Sequence, residues 1–234
     1  MCNQQVWSPS VHPTLRFMFD VVVVSSPSQQ CSAAVADVLG SSNALECTHL
    51  LAVPDVGTPM LNALLIAAEA AAAAGGLSTL PRRPLSDQRV LIIHVVPSSA
   101  DAPHPCLPLA LCTLPDGTYG VVQAVERCAR MTRDADGPGT ILLSVDEVLS
   151  CPHTGRLNLT PGTAGTVLVS ATSSAAAADQ AVYLGSGFAS SAGAISVARW
   201  KVGQENAGIL PALRPAGVVW LSGSAASALV QAVR

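Results

Sequence analysis

The run FDVVVVSS, from Phe19 to Ser26, constrains the fold more than any other stretch of this sequence. Its β-branched residues are continuous rather than alternating with polar ones, which is the pattern of a strand buried on both faces. Ser28 then precedes a segment with apolar residues at helical spacing, and this segment ends at Gly40. The stretch therefore predicts a central parallel strand and the helix that follows it.

The same alternation of strand and helix continues along the chain. Further strands are predicted at THLLAVPD, QRVLIIHVV and GTILLSVDEVL, and further helices at Leu61 to Ala74 and at YGVVQAVERCARMTRD. Strands that alternate with helices in this way form a mostly parallel sheet with helices on both faces. We expect a three-layer α/β/α domain.

Beyond Cys151 the predicted strands become shorter and richer in Gly and Thr. They are GTVLVSAT, QAVYLGSG, AISVARW and AGVVWLSGS. These short strands predict an antiparallel extension of the sheet. The final segment, SAASALVQAVR, has the composition of a helix.

The charge and cysteine content exclude several classes of partner and location. The formal net charge is -3 and the only basic cluster is the pair Arg82-Arg83, so neither nucleic acid nor an anionic membrane surface is an expected partner. The seven cysteines form no C-x-x-C pair, which favours reduced thiols in the cytoplasm. The longest apolar run, MLNALLIAAEAAAAAGG, is roughly 15 residues, against about 20 for a membrane span.

In an open α/β sheet, ligands bind beyond the carboxyl ends of the strands, so the loops after VVVVSS, LLAVPD, LIIHVV and ILLSVD are the places where chemistry is expected. After the first strand, backbone N–H groups at the start of the helix can hold an anion, but a simple helix N-cap is the more common role of a serine such as Ser28. Asp146, after the last of these strands, offers a carboxylate for Mg²⁺. The alternative is that Asp146 and Glu147 simply face solvent.

His94 ends the strand LIIH, and Cys151 lies two residues before His153. These residues are candidates for a metal site or a nucleophile, but the Cys-x-His spacing is a weak signal, and ordinary core and loop residues are the simpler interpretation. The motifs of dinucleotide-binding proteins, P-loop proteins, serine hydrolases and zincins are missing from the sequence.

The order of FDVVVVSSPSQQ, LLAVPD, LNALLIAA, VLIIHVVPSSADAPHP and CARMTRDADGPGTILLSVDEVLSCP resembles the nucleotidyltransferase region of the L-fucokinase/GDP-L-fucose pyrophosphorylase family, which includes fucose-1-phosphate guanylyltransferase. In that family a strand ending in His leads into a loop of the form A-G-G-x-S-x-R-x-P. His94, Ser99 and Pro103 match this pattern. Asp146 matches the family's strand-end Asp, and Asn62 lies in the matching LNA segment after Gly57.

The resemblance implies a Rossmann-like nucleotide-diphospho-sugar transferase domain spanning residues 19–234, after an N-terminal extension of residues 1–18, and incomplete at its C-terminus. It further implies that GTP and a sugar 1-phosphate react with Mg²⁺ to give a GDP-sugar and pyrophosphate. Asp146 would bind the metal, and Gly57, Asn62, Pro97, Ser98 and Ser99 would bind the nucleotide. The catalytic residues stay unassigned.

The phosphate loop departs from the family pattern in this chain. Val96 and Pro97 replace the two glycines, Asp101 replaces the arginine, and the downstream lysine is missing near Leu109. Val and Pro prevent the close backbone approach that glycine allows, and an aspartate repels phosphate. We therefore expect weak or no catalysis. The alternatives are a catalytically dead α/β module that serves as a binding or scaffolding surface, and an unrelated Rossmann-like domain.

Overall fold

The computed structural model describes residues 17–42, 44–55, 59–73, 83–95, 108–132, 137–150, 164–172, 183–184 and 212–234. Within these ranges the chain forms seven strands and five helices. In chain order they are β1 (Phe17–Ser26), α1 (Gln29–Ser41), β2 (Leu45–Pro54), α2 (Pro59–Ala73), β3 (Arg89–His94), α3 (Gly120–Met131), β4 (Gly139–Ser144), α4 (Val145–Ser150), β5 (Gly165–Thr172), β6 (Tyr183–Leu184), β7 (Ala212–Ser222) and α5 (Gly223–Val233). Single 3₁₀ turns lie at Leu85–Asp87 and Leu109–Leu111.

All seven strands belong to one sheet, in the order β2-β1-β3-β4-β7-β5, with β6 also paired to β7. The first four strands are parallel to one another, and β5, β6 and β7 are joined by antiparallel pairing. The α/β class and the antiparallel extension are therefore confirmed, and the sheet is compatible with a Rossmann-like fold. The predicted strand AISVARW lies outside the described residues.

The strand predicted from FDVVVVSS is an interior strand of the sheet, as expected. It begins at Phe17 rather than Phe19. Val22 and Val24 belong to one apolar cluster, which includes residues of α1, α3 and α4. Val21 and Val23 belong to a second cluster, with residues of α2 and α5. All four valines are wholly buried and alternate valines belong to different clusters, so the run has no polar position.

The helix after β1 begins as a capped helix. The Ser28 hydroxyl accepts a hydrogen bond of 3.4 Å from the backbone N–H of Cys31, and the Ser28 carbonyl accepts one of 3.0 Å from the N–H of Ser32. Ser28 thus has the simple N-cap role. No helix among the described residues is long and apolar enough to cross a membrane.

The prediction of one strand over GTILLSVDEVL is wrong in its second half. The strand ends at Ser144, and the chain turns directly into α4. Val145 and Val148 are both wholly buried, and their three-residue spacing places them on one side of a helix. Asp146 and Glu147 fall in the first turn, where the helix dipole favours negative charge. Asp146 is therefore a helix residue rather than the last residue of a strand.

Candidate functional site

The carboxyl ends of β1, β2, β3 and β4 lie along one edge of the sheet, which we call the carboxyl edge. Ser25 of β1 is the register partner of His94 of β3, and His94 is in turn the partner of Ser144 of β4. In the sheet, β2 lies on one side of β1 and β3 lies on the other side. The connection that leaves β1 and the connection that enters β3 therefore run in opposite directions, and they diverge between β1 and β3. This is the position at which doubly wound sheets bind ligands.

A connected polar group occupies this position, consisting of Ser25, Asp55 and His94. The Ser25 hydroxyl donates a hydrogen bond to Oδ1 of Asp55. The other carboxylate oxygen, Oδ2, lies 3.7 Å from Nδ1 of His94. Ser25 is fully buried, and the side chains of Asp55 and His94 are 9% and 19% exposed. The carboxylate therefore stands between the hydroxyl and the imidazole.

Backbone hydrogen bonds to β1 fix the position of this group. The N–H of Asp55 donates to the carbonyl of Ser26 at 2.7 Å, and the N–H of Val95 donates to the carbonyl of Ser25 at 2.9 Å. Asp55 and Val95 are the residues that directly follow β2 and β3. Because both are bonded to the end of β1, the backbone brings Asp55 and His94 toward each other.

Asp146 is a second carboxyl group that interacts with His94. Burial raises the pKa of Asp146 above its ordinary value, and the charge of His94 acts in the opposite direction. Arg127 of α3 binds the helix that carries Asp146, since its Nη1 donates hydrogen bonds of 3.3 Å to the carbonyls of Val148 and Leu149. His94 thus interacts with carboxyl groups from two different segments, Asp55 and Asp146.

The raised pKa of Asp146 predicts a pH-dependent stability. The folded chain holds this proton to a higher pH than the unfolded chain, so the carboxyl group destabilises the fold as pH rises from its ordinary pKa of about 3.9 through the raised folded value. We expect the free energy of unfolding of Asp146→Asn to increase relative to that of the wild type as pH rises through this range. Urea unfolding at several pH values measures this difference.

Asp116 provides a control of opposite sign. Hydrogen bonds from the Thr118 side chain and backbone lower the pKa of this exposed carboxyl group. Its contribution to stability is present above the ordinary pKa and is lost as pH falls through the lowered value. Asp116→Asn should therefore lose stability relative to the wild type as pH rises from that lowered value through the ordinary pKa. The same trend in both variants would contradict the assignment for Asp146.

The Ser25, Asp55 and His94 group is not a nucleophilic triad. In a triad the histidine lies between the serine and the carboxylate and accepts the proton of the serine. Here the carboxylate is in the middle, and the hydroxyl of Ser25 donates to it. The arrangement can orient an imidazole and neutralise its charge, but it does not activate Ser25.

A metal ion has few ligands available in the described part of the chain. These residues contain no group of three or more His, Cys, Asp and Glu side chains that can hold an ion. Mg²⁺ in nucleotide enzymes is commonly bound by one or two carboxylates and completed by phosphate oxygens and water. The half-buried carboxyl group of Asp146 at the carboxyl edge fits that mode of binding.

The residues predicted from the sequence fall partly within this region. Asn62 is half-buried near the start of α2, the helix that begins after the carboxyl end of β2. Asp146 lies in the first turn of α4, directly after β4, and interacts with His94. Gly57, Pro97, Ser98 and Ser99 lie outside the described residues, as do Cys151 and His153.

Sequence reasoning missed Ser25 and Asp55 as individual residues. The strand ends that carry them, VVVVSS and LLAVPD, were expected to lead into functional loops, and both motifs finish with a polar residue. That ending is the signal that would have identified them.

Comparison of the chain with protein-family models, with curated proteins and with solved structures found no match.

Proposed function

We propose that this chain is a nucleotidyltransferase-like domain that binds GTP and a sugar 1-phosphate at the carboxyl edge, between β1 and β3. The sequence resembles the L-fucokinase/GDP-L-fucose pyrophosphorylase family, which includes fucose-1-phosphate guanylyltransferase. The observation that carries the proposal is the polar group of Ser25, Asp55 and His94 at the point where the strand connections diverge. Buried polar groups at that point of a doubly wound sheet are typical of a ligand site.

The proposal includes the finer architecture of the domain. Apolar clusters on opposite faces of the sheet contain residues of α1 and α3 on one side and of α2 and α5 on the other. This distribution supports a three-layer α/β/α domain of the nucleotide-diphospho-sugar transferase type. The four cysteines among the described residues are free thiols, which supports a reducing, cytoplasmic location.

Each residue at the carboxyl edge has a role in this proposal. Asp146 would hold Mg²⁺, and the ion would neutralise charge on the phosphates when bound. Asn62 would contact the base or the ribose from the start of α2. His94 would contact the ligand directly, since its ring is partly exposed at the divergence point.

Catalysis is weak or lost in the proposed domain, because the phosphate loop has changed. Val96 and Pro97 cannot supply the backbone geometry of two glycines, and Pro97 also lacks an N–H donor. Asp101 places a negative charge where the family has a positive one. Removing one contact that stabilises charge in the transition state typically costs about 10² to 10³ in rate.

Calorimetry of the full chain with GTP and Mg²⁺, followed by an assay of pyrophosphate release with fucose 1-phosphate, tests this proposal. We expect binding heat that is reduced by Asp146→Asn, and little or no pyrophosphate. The matched control is Asp87→Asn. Asp87 is an exposed aspartate that precedes the amino end of β3, whereas the proposed site lies at the carboxyl end.

The two arms of this experiment separate the alternatives. Binding without turnover supports a domain that kept its ligand and lost its chemistry. Measurable turnover that Asp146→Ala abolishes would show an active transferase. Absence of binding heat in a folded protein would overturn the proposal and favour the scaffolding module, whose fold is retained without a nucleotide.

A further inference from the structure

We propose that Asp55 is the positioning residue of this site: together with Ser25 it keeps the proton of His94 on Nδ1, so that Nε2 accepts a hydrogen bond from a hydroxyl of the bound ligand. The ligand part of this inference rests on the proposed function. The positioning part concerns the free protein alone.

Of the two ring nitrogens of His94, Nδ1 faces the protein. Nδ1 is shielded from solvent and, among the described residues, makes no hydrogen bond, while Oδ2 of Asp55 lies 3.7 Å away. The His94 side chain is 19% exposed, and since Nδ1 is shielded, this exposure comes from the other side-chain atoms, among which is Nε2. At 3.7 Å the contact between Nδ1 and Oδ2 is electrostatic and is not a hydrogen bond.

Asp55 determines which nitrogen of His94 carries the proton. An ionised carboxylate only accepts hydrogen bonds, so the nitrogen that faces Asp55 is stabilised when it carries the proton. In a neutral imidazole the other nitrogen, Nε2, is then an acceptor. An acceptor at the carboxyl edge fits a hydroxyl group, and both the ribose of GTP and a sugar 1-phosphate offer hydroxyls.

Ser25 fixes the orientation of the Asp55 carboxylate. Its hydroxyl donates to Oδ1 of Asp55, and the residue is fully buried. This bond fixes the carboxylate and leaves Oδ2 toward His94. If Asp55 became asparagine, the Ser25 hydroxyl would hold the amide oxygen and direct the NH₂ group at His94. Nδ1 would then become the acceptor, and the proton would move to Nε2, as happens when asparagine replaces the aspartate of a catalytic triad.

Nitrogen NMR of the ¹⁵N-labelled full chain at pH 8 tests the positioning step. Long-range ¹H–¹⁵N spectra report the tautomer of each imidazole, and His94→Gln assigns the His94 signals among the five histidines. We expect the Nδ1–H tautomer in the wild type and in Ser25→Ala, and the Nε2–H tautomer in Asp55→Asn. The double variant Ser25→Ala/Asp55→Asn should contain a larger fraction of Nδ1–H than Asp55→Asn alone, because an amide that Ser25 no longer holds can turn either its oxygen or its NH₂ group toward Nδ1.

An Nε2–H tautomer in the wild type would overturn the inference, and this result needs no variant to fold. An Nδ1–H tautomer that persists in Asp55→Asn would equally overturn it. A double variant with no more Nδ1–H than Asp55→Asn alone would overturn the role of Ser25.

The ligand step is measured separately, as affinity for GTP with Mg²⁺ and for fucose 1-phosphate. We expect Asp55→Asn to weaken one of them by about tenfold, which is the scale of one hydrogen bond at a buried polar site. A loss confined to GTP places the hydroxyl on the ribose, and a loss confined to the sugar phosphate places it on the sugar. Unchanged affinity for both would overturn the contact at Nε2. If the wild type binds neither compound, the proposed function fails, while the tautomer result stands.

Discussion

Gly217→Ala is expected to lower the free energy of unfolding by about 2 to 5 kcal/mol. Gly217 has a φ of +79°, a region that costs a residue with a side chain roughly 1 to 2 kcal/mol. An added Cβ would also lie 2.8 Å from the Ser144 carbonyl oxygen, from Cβ of Glu147 and from a methyl carbon of Val148. Such overpacking typically costs another 1 to 3 kcal/mol. Urea unfolding measures the sum.

Gly117→Ala is the matched control for this prediction. Gly117 has a similar φ of +82°, but an added Cβ would meet nothing within 4 Å. Its cost should be limited to the backbone, roughly 1 to 2 kcal/mol. Equal losses in the two variants would contradict the close packing of β7 against the end of β4 and the start of α4.

Restoring the phosphate loop is the second change with a large expected effect. The triple variant Val96→Gly/Pro97→Gly/Asp101→Arg should raise the rate of pyrophosphate release with GTP and fucose 1-phosphate by about 10² to 10³. The glycines allow the backbone to approach the phosphates, and the arginine replaces a repelling charge with an attracting one. GTP affinity should rise together with the rate.

Asp87→Arg separates this effect from a general change of charge. It makes the same change from Asp to Arg, at an exposed residue that precedes β3 at its amino end, the opposite end from His94. We expect no change in GTP affinity or in rate. A triple variant that binds GTP no better than the wild type would contradict the assignment of residues 96–101 to a phosphate loop.

The sequence predicted most of the sheet because burial leaves a direct trace in residue type. Val21 to Val24 form an unbroken apolar run, and each of them is wholly buried. The residue types that follow β4 are more ambiguous. Val145 and Val148 are compatible with both a longer strand and a helix, and the choice depends on packing against β7 and on Arg127, which are distant in the chain.

The candidate site was only partly predictable, because it depends on pairing between strands. A polar residue at the end of each strand is visible in the sequence. The contact between Ser25 and Asp55 joins residues 30 positions apart, and His94 meets Asp55 because β1 lies between β2 and β3. Strand order of this kind is decided by the whole sheet and has no local signature.

The position of β7 beside β4 also has a consequence for synthesis of the chain. On one side β4 pairs with β3, which precedes it in the chain. On the other side it pairs with β7, which follows much later: Leu143 of β4 and its partner Val218 of β7 are roughly 75 residues apart. At about 5 to 20 residues per second, a ribosome needs roughly 4 to 15 s to produce that distance. For this interval the nascent chain exposes an apolar strand edge without its partner, which is the kind of surface that aggregates and that chaperones bind.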